Sequence, residues 1–171
     1  HRDSAKLSIN TEKEKKLVRN VAFGNIIAII YSIAPGLFNF ADFSNNISPY
    51  YLFYIKVFGA LLGILGEILF YKSHSDLGAN WSPILEIQKK HKLVTEGIYK
   101  HIRHPMYSSI YLFMFGGFLL STNWLILIPF ILFTYLYFKR IDAEESMLIN
   151  EFGDEYREYM KKSKRLIPFI L

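Results

Sequence analysis

Apolar residues in this chain gather into four runs, with the polar residues collected between them. The runs are Val21 to Ala41, Tyr50 to Tyr71, Pro105 to Ser121 and Trp124 to Phe138, of 21, 22, 17 and 15 residues. The first two are long enough to cross a bilayer as helices. At a rise of 1.5 Å per residue the last two reach only about 25 and 22 Å, so they are read as a tight helical hairpin joined at Thr122 and Asn123. Pro35-Gly36 marks a kink or stop near the outer end of the first run. In the second, Gly59, Gly63 and Glu67 recur every four residues, which gives one helix face small enough to pack closely against a neighbour. Glu67 lies a turn from the end of that run, and a charge at that depth calls for a partner or a role, a structural pairing being favoured so near the end.

The polar stretches complete the architecture. Residues 1 to 20 form a juxtamembrane arm, helical from Thr11, whose basic residues rest on anionic headgroups. Lys72 to His104 mixes turn residues with short apolar runs, and Trp81 to Ile87 reads as an extended stretch. Lys139 to Arg165 predicts a C-terminal amphipathic helix, with Met147, Leu148, Phe152, Tyr156, Tyr159 and Met160 on or near one face. The fold expected is an all-α integral membrane protein of about four transmembrane helices, forming a single domain over residues 1–171. Its parts are the arm (1–20), two spans (21–71) and a catalytic region (72–171).

Composition changes this picture little, since 51% apolar and 17% aromatic residues exceed what a soluble domain of 171 residues requires. Charge orients it. Of the 20 lysines and arginines, 19 fall in three segments: six in residues 1–20, six in 72–104 and seven in 139–171. Four spans put those segments on one side, and the bias of basic loops names it the cytosol. Lys56 remains inside a span near its far end, where it can snorkel. The net charge of +5 is absorbed by this topology, and without a basic groove interleaved with aromatics no nucleic-acid partner is expected. The lack of cysteine removes disulfides, thiolate catalysis and cysteine-ligated zinc. No secretory signal is visible in the charged first twenty residues, and the opening His1-Arg2-Asp3 leaves room for a further span ahead of it.

Candidate chemistry sits at the mouth of the spans. Arg103-His104-Pro105-Met106-Tyr107 opens the hairpin, with proline where a helix has no use for its N–H, and the amides there offer a site for an anionic or polar ligand. Arg140 and Glu144, four apart, face the same way and suit an intrahelical salt bridge as well as a ligand. His91, His101 and His104 match no metal spacing, so no metal is expected. There is neither a G-x-G-x-x-G nor a P-loop.

His91-Lys92-Leu93-Val94 with Gly97-Ile98-Tyr99, then Arg103 to Tyr107, Arg140 with Glu144-Glu145, Phe152-Gly153-x-x-Tyr156-x-x-Tyr159 and a closing Arg165-Leu166-Ile167-Pro168 together resemble the isoprenylcysteine carboxyl methyltransferase family. The wider superfamily includes membrane phospholipid methyltransferases. The similarity covers roughly residues 72–171, and its specificity lies in the order and spacing of the motifs. The resemblance implies a methyltransferase that uses S-adenosyl-L-methionine to methylate the C-terminal carboxylate of S-isoprenylcysteine or a similar lipid-linked acid. It implies a cofactor pocket at the cytosolic face, with contacts from His91, Lys92, Leu93, Val94, Tyr99, His104, Pro105, Met106, Tyr107 and Glu144. Arg140 would hold the substrate carboxylate. Glu86 stands where the animal enzymes carry a glutamine that touches the cofactor. The membrane would be the cell membrane in a prokaryote and the endoplasmic reticulum in a eukaryote. Two other readings use the same residues: a phospholipid N-methyltransferase, which a fixed arginine beside a protonated amine disfavours, and a four-helix membrane protein without enzymatic activity.

Overall fold

The computed structural model describes residues 35–78 and 92–167. The arm, most of the first run, the stretch Trp81 to Ile87 and the candidates Glu86 and His91 lie outside the described residues. Around Pro35-Gly36 the backbone takes a 3-10 helix, Pro35–Ala41, and a second short 3-10 turn covers Ser44–Asn46.

Helix α1, Pro49–Leu77, starts with proline at its first position, as its missing N–H allows. Its 29 residues give about 43 Å, enough to cross a hydrocarbon core of about 30 Å. Its outward face carries exposed Tyr51, Phe53, Phe58, Leu61, Ile64 and Ile68, a surface suited to lipid and not to water. The helix runs six residues past the predicted Tyr71, because nothing from Lys72 to Leu77 breaks it until Gly78, whose φ is +54°. Helix α2, Pro105–Ser121, has the predicted bounds.

The α1–α2 seam is built on glycine. A Cβ on Gly116 would lie 2.6 Å from the Gly59 carbonyl, and one on Gly66 would lie 2.9 Å from the Ser109 carbonyl, so both backbones approach as only glycine permits. The packing expected of the small face is therefore seen. A cavity of about 240 Å³ opens along this seam, lined by Gly66, Glu67, Phe70, Ser109, Ile110 and Phe113. The pairing expected for Glu67 is not found among the described residues.

The hairpin turns at Thr122 and Asn123. Thr122 adopts φ +51°, the left-handed region, and the Asn123 side chain accepts from the Leu125 amide at 3.0 Å. A 3-10 turn, Trp124–Ile126, leads into α3, Leu127–Phe152. Asp42 secures the turn by accepting from the Ser44 amide at 2.7 Å and from the Thr122 hydroxyl at 3.1 Å, while Phe43 donates its amide to the Thr122 carbonyl at 2.9 Å. Those bonds, the Ser44 amide first, hold the Asp42 carboxyl below its ordinary range, and the charge of Lys56 adds to the effect. Phe43 packs on Trp124 and Phe118 at centroid distances of 4.7 and 5.7 Å.

The fourth apolar run and the amphipathic stretch meet differently from expectation. The amphipathic stretch does not begin a new helix at Lys139; α3 passes from its apolar half through Lys139 and Arg140 to Phe152 without interruption. The break comes at Gly153, with φ +56°, and α4, Asp154–Lys162, follows. Asp154 and Glu155 at its start and Lys161 and Lys162 at its end complement the helix dipole. Tyr156 and Tyr159 are its buried face.

Among the described residues two helical stretches, Pro49–Leu77 and Trp124–Phe152, are long and apolar enough to cross a membrane; Pro105–Ser121 is apolar and shorter. The described chain is helical, with two isolated bridges and no longer strand pairing.

Candidate functional site

At the charged end of the helices, four segments converge: the end of α1, the loop 92–104, the middle of α3 and the stretch after α4. Residues 92–95 have no regular structure, and Gly97–Lys100 forms one 3-10 turn. Tyr99 in that turn is buried; its hydroxyl donates to the Ser73 carbonyl at 3.3 Å, and its carbonyl accepts from the Tyr159 hydroxyl at 2.6 Å. Burial pushes the Tyr159 phenol up to about 12, which keeps it a neutral donor at any physiological pH. Burial, then the charge of Glu144, raises Tyr99 in the same direction.

After α4 the chain returns beside the loop. Arg103 donates its amide to the Lys164 carbonyl at 2.7 Å, His104 to the Arg165 carbonyl at 3.1 Å, and Lys164 to the His101 carbonyl at 3.0 Å. This short parallel bridge fixes the residue before Pro105, and hence where α2 begins. The closing Arg165-Leu166 motif thus acts through its backbone as well as its side chain.

Glu145 is the hub of the ionic groups. It is buried, and its Oε1 accepts from Arg103 Nε at 3.0 Å and lies 3.2 Å from His104 Nε2. Its Oε2 accepts from Arg165 at 2.7 Å, and Arg165 also donates to Asp142. Arg103 donates further to the carbonyls of Met160 and Ser163. With both sides about nine-tenths shielded, the Arg103–Glu145 pair is a buried one, with both Glu145 oxygens and the Arg103 Nε and Nη1 hydrogen-bonded. Since a carboxylate only accepts, the His104 nitrogen facing Glu145 carries its hydrogen.

Beside this hub lies a second polar chain. Arg140 Nε donates to the Tyr107 hydroxyl at 3.1 Å, and that hydroxyl donates to Glu144 Oε2 at 3.0 Å. The other His104 nitrogen, Nδ1, lies 3.8 Å from the same Glu144 oxygen. Arg140 and Glu144, one turn apart on α3, are thus bridged by a phenol from α2. Rings of Tyr107 and Tyr137 pack at 5.0 Å beneath the relay, and Tyr111, Phe130 and Phe138 continue the aromatic contact into the apolar half of the α2–α3 seam.

The sequence candidates therefore divide. Tyr99, His104, Pro105, Tyr107, Arg140 and Glu144 come together in one place; Met106 lies in the first turn of α2. Lys92, Leu93 and Val94 belong to the loop leading to Tyr99, with Leu93 and Val94 half-buried and Lys92 exposed. Glu86 and His91 lie outside the described residues. Arg103, Glu145 and Arg165 were present in the motifs without a role, and Ser73 and Asp76 carried no signal beyond their place at the polar end of α1. Among the described residues no group of three or more His, Asp or Glu is disposed to hold a metal.

The donor set fits S-adenosyl-L-methionine. Glu144 keeps 28% of its side chain exposed and can accept from an ammonium. The start of α2 has no side-chain cap, so amides of its first turn remain for a carboxylate. Half-buried Leu93 and Val94 and buried Tyr99 offer apolar surface for a purine ring.

Comparison with known proteins shows the family. The model of the isoprenylcysteine carboxyl methyltransferase family matches residues 59–150. A protein-S-isoprenylcysteine O-methyltransferase of Xenopus laevis is 35% identical over 120 residues, covering 68% of this chain and 42% of that protein. A second, form B of Arabidopsis thaliana, is 34% identical and covers 68% and 61%. Among solved structures, that of the eukaryotic intramembrane Ras methyltransferase ICMT superposes with a TM-score of 0.62 at 26% identity, over 96% of this chain and 55% of that one. This chain therefore spans between two fifths and two thirds of the length of these relatives.

Proposed function

The chain belongs to the isoprenylcysteine carboxyl methyltransferase family, and from that premise we propose that it is an S-adenosyl-L-methionine-dependent O-methyltransferase acting on the carboxylate of an S-isoprenylcysteine or a similar lipid-linked acid. The observation that carries the reading is the Arg140–Tyr107–Glu144 relay beside the uncapped start of α2. When bound, S-adenosyl-L-methionine supplies a methyl group on a sulfonium sulfur, ready for attack by an anionic oxygen.

The protein's share of this chemistry is alignment and the exclusion of water. A carboxylate is ionised at neutral pH and needs no base, but at a membrane surface it needs a cation to hold it. Arg140 holds it through a planar guanidinium suited to two parallel hydrogen bonds. Glu144 receives the ammonium of the methyl donor, the first-turn amides of α2 its carboxylate, and Leu93, Val94 and Tyr99 its adenine. Lys92, His104, Pro105 and Met106 complete the cofactor wall, and the family resemblance adds Glu86 and His91 to the cofactor contacts. Tyr107 couples the two halves by donating to Glu144 while accepting from Arg140, so the group that holds the acceptor and the group that holds the donor share one oxygen. Four spans, with this site facing the cytosol, make up the architecture, and the acceptor's lipid tail stays in the bilayer.

Binding of S-adenosylhomocysteine to the purified protein in detergent, beside methyl transfer to a farnesylcysteine analogue in liposomes, tests the proposal. Glu144→Ala is expected to lower affinity at least tenfold; Arg140→Ala is expected to keep binding and lose methyl transfer at least a hundredfold. Unchanged methyl transfer by Arg140→Ala would remove its role, and methylated amine headgroups as the sole product would replace the acceptor.

A further inference from the structure

Residues 92–96 carry cofactor candidates yet lack regular structure, so something outside them must set their course. The fixed point is the turn that follows, and α1 holds it from the side. The Ile98 amide donates to Asp76 Oδ2 at 2.8 Å, and one turn earlier on the same helix the Ser73 carbonyl accepts from the Tyr99 hydroxyl. Gly97, between the loop and these bonds, has φ +60°. A Cβ built on it would lie 2.2 Å from Asp76 Oδ2 and 2.6 Å from Asp76 Cγ. The carboxylate thus occupies the space a side chain on this residue would take, and it reaches the Ile98 amide because no side chain stands there. Lys72 lies 3.9 Å from the same oxygen but is largely exposed, so the amide and not the lysine is the contact that matters.

We propose that Asp76 is a positioning residue for the methyl donor, acting through Gly97 and Ile98 to hold the Leu93–Tyr99 stretch against the end of α1. This rests on the methyltransferase reading above. It makes α1 part of the site through two groups in its last two turns, Ser73 and Asp76, although that helix otherwise faces lipid or packs on α2. The Asp76 carboxylate touches neither donor nor acceptor; it fixes the backbone that does. Its loss therefore raises the KM for the donor and leaves the turnover of bound donor nearly as it was.

The experiment compares the protein with Asp76→Ala, Asp76→Asn and Gly97→Ala in detergent, reading S-adenosylhomocysteine affinity by calorimetry, KM and kcat for S-adenosylmethionine, and melting temperature. Asp76→Ala and Gly97→Ala are expected to weaken both affinity and KM about tenfold with kcat within about twofold. Asp76→Asn keeps an oxygen that accepts from the Ile98 amide and is expected to stay within about threefold of the parent. Parent-like affinity in Asp76→Ala, or Asp76→Asn as weak as Asp76→Ala, would overturn the proposal. If Asp76→Ala gives no folded protein, the contrast between Asp76→Asn and Gly97→Ala carries the test, and equal affinities in those two would overturn it. Failure of the parent itself to bind S-adenosylhomocysteine would strike the methyltransferase reading instead, so the two failures are told apart.

Discussion

The two seams that join α2 to its neighbours are built on opposite principles. Against α1, glycines bring backbone to backbone, with Gly116 and Gly59 closer than any side chain would allow. Against α3, rings of Tyr107, Tyr111, Phe130 and Tyr137 hold the helices apart, and hydroxyls stand among them. Where the glycines meet, the tight seam gives α2 a fixed wall, and a cavity opens beside them. The polar relay lies at the mouth of the wide seam. On the methyltransferase reading proposed above, the two faces of one short helix divide the tasks of holding and reacting.

Substitutions that reach each seam should show this division. The largest effect is expected from Glu145→Ala, which strips Arg103, His104 and Arg165 of their shared anion at the mouth of the wide seam; breaking a buried ion pair costs about 3–5 kcal/mol. Its thermal midpoint in detergent should fall steeply, and a fall no larger than that of an exposed pair such as Lys161–Glu158 would show that the hub is not what closes the site. Gly116→Ala should come next, at about 1–3 kcal/mol, since its methyl group meets the Gly59 carbonyl and the helices must separate. Both stability and activity should drop together in that variant. Smallest is Tyr111→Phe in the wide seam, where the hydroxyl reaches the Thr134 carbonyl only at 3.5 Å; about 0.6 kcal/mol is typical of such bonds between membrane helices. Should Tyr111→Phe destabilise more than Gly116→Ala, the contrast between the seams would be reversed.

Much of this was legible in the order of residues. Helix α2 could be read to its ends because Pro105 can only begin a helix and Thr122-Asn123 interrupts the apolar run. The small face of α1 was legible for the same local reason, as a four-residue spacing of glycines. The unbroken course of α3 was not, because hydropathy changes at Lys139 while backbone propensity does not; the true stop, Gly153, was in plain view within a motif noted for other reasons. Arg140, Tyr107 and Glu144 could be nominated by resemblance, and their contacts bring them together. The hub at Glu145 escaped because its partners stand 42, 41 and 20 residues away in sequence, and nothing local distinguishes it from its neighbour Glu144. Asp76 escaped for a like reason: its partner amide lies 22 residues on, across a loop.

The continuity of α3 has a mechanical consequence. One rod carries the apolar residues Leu127 to Phe138 and, without a joint, Arg140 and Glu144. A bilayer thicker or thinner than its apolar half is met by tilting or sliding the whole rod, at about 1.5 Å of height per residue drawn in or out. On the proposed reading, the height of Arg140 relative to the headgroups then follows the lipid, and membrane thickness becomes a mechanical input to where an acceptor is held.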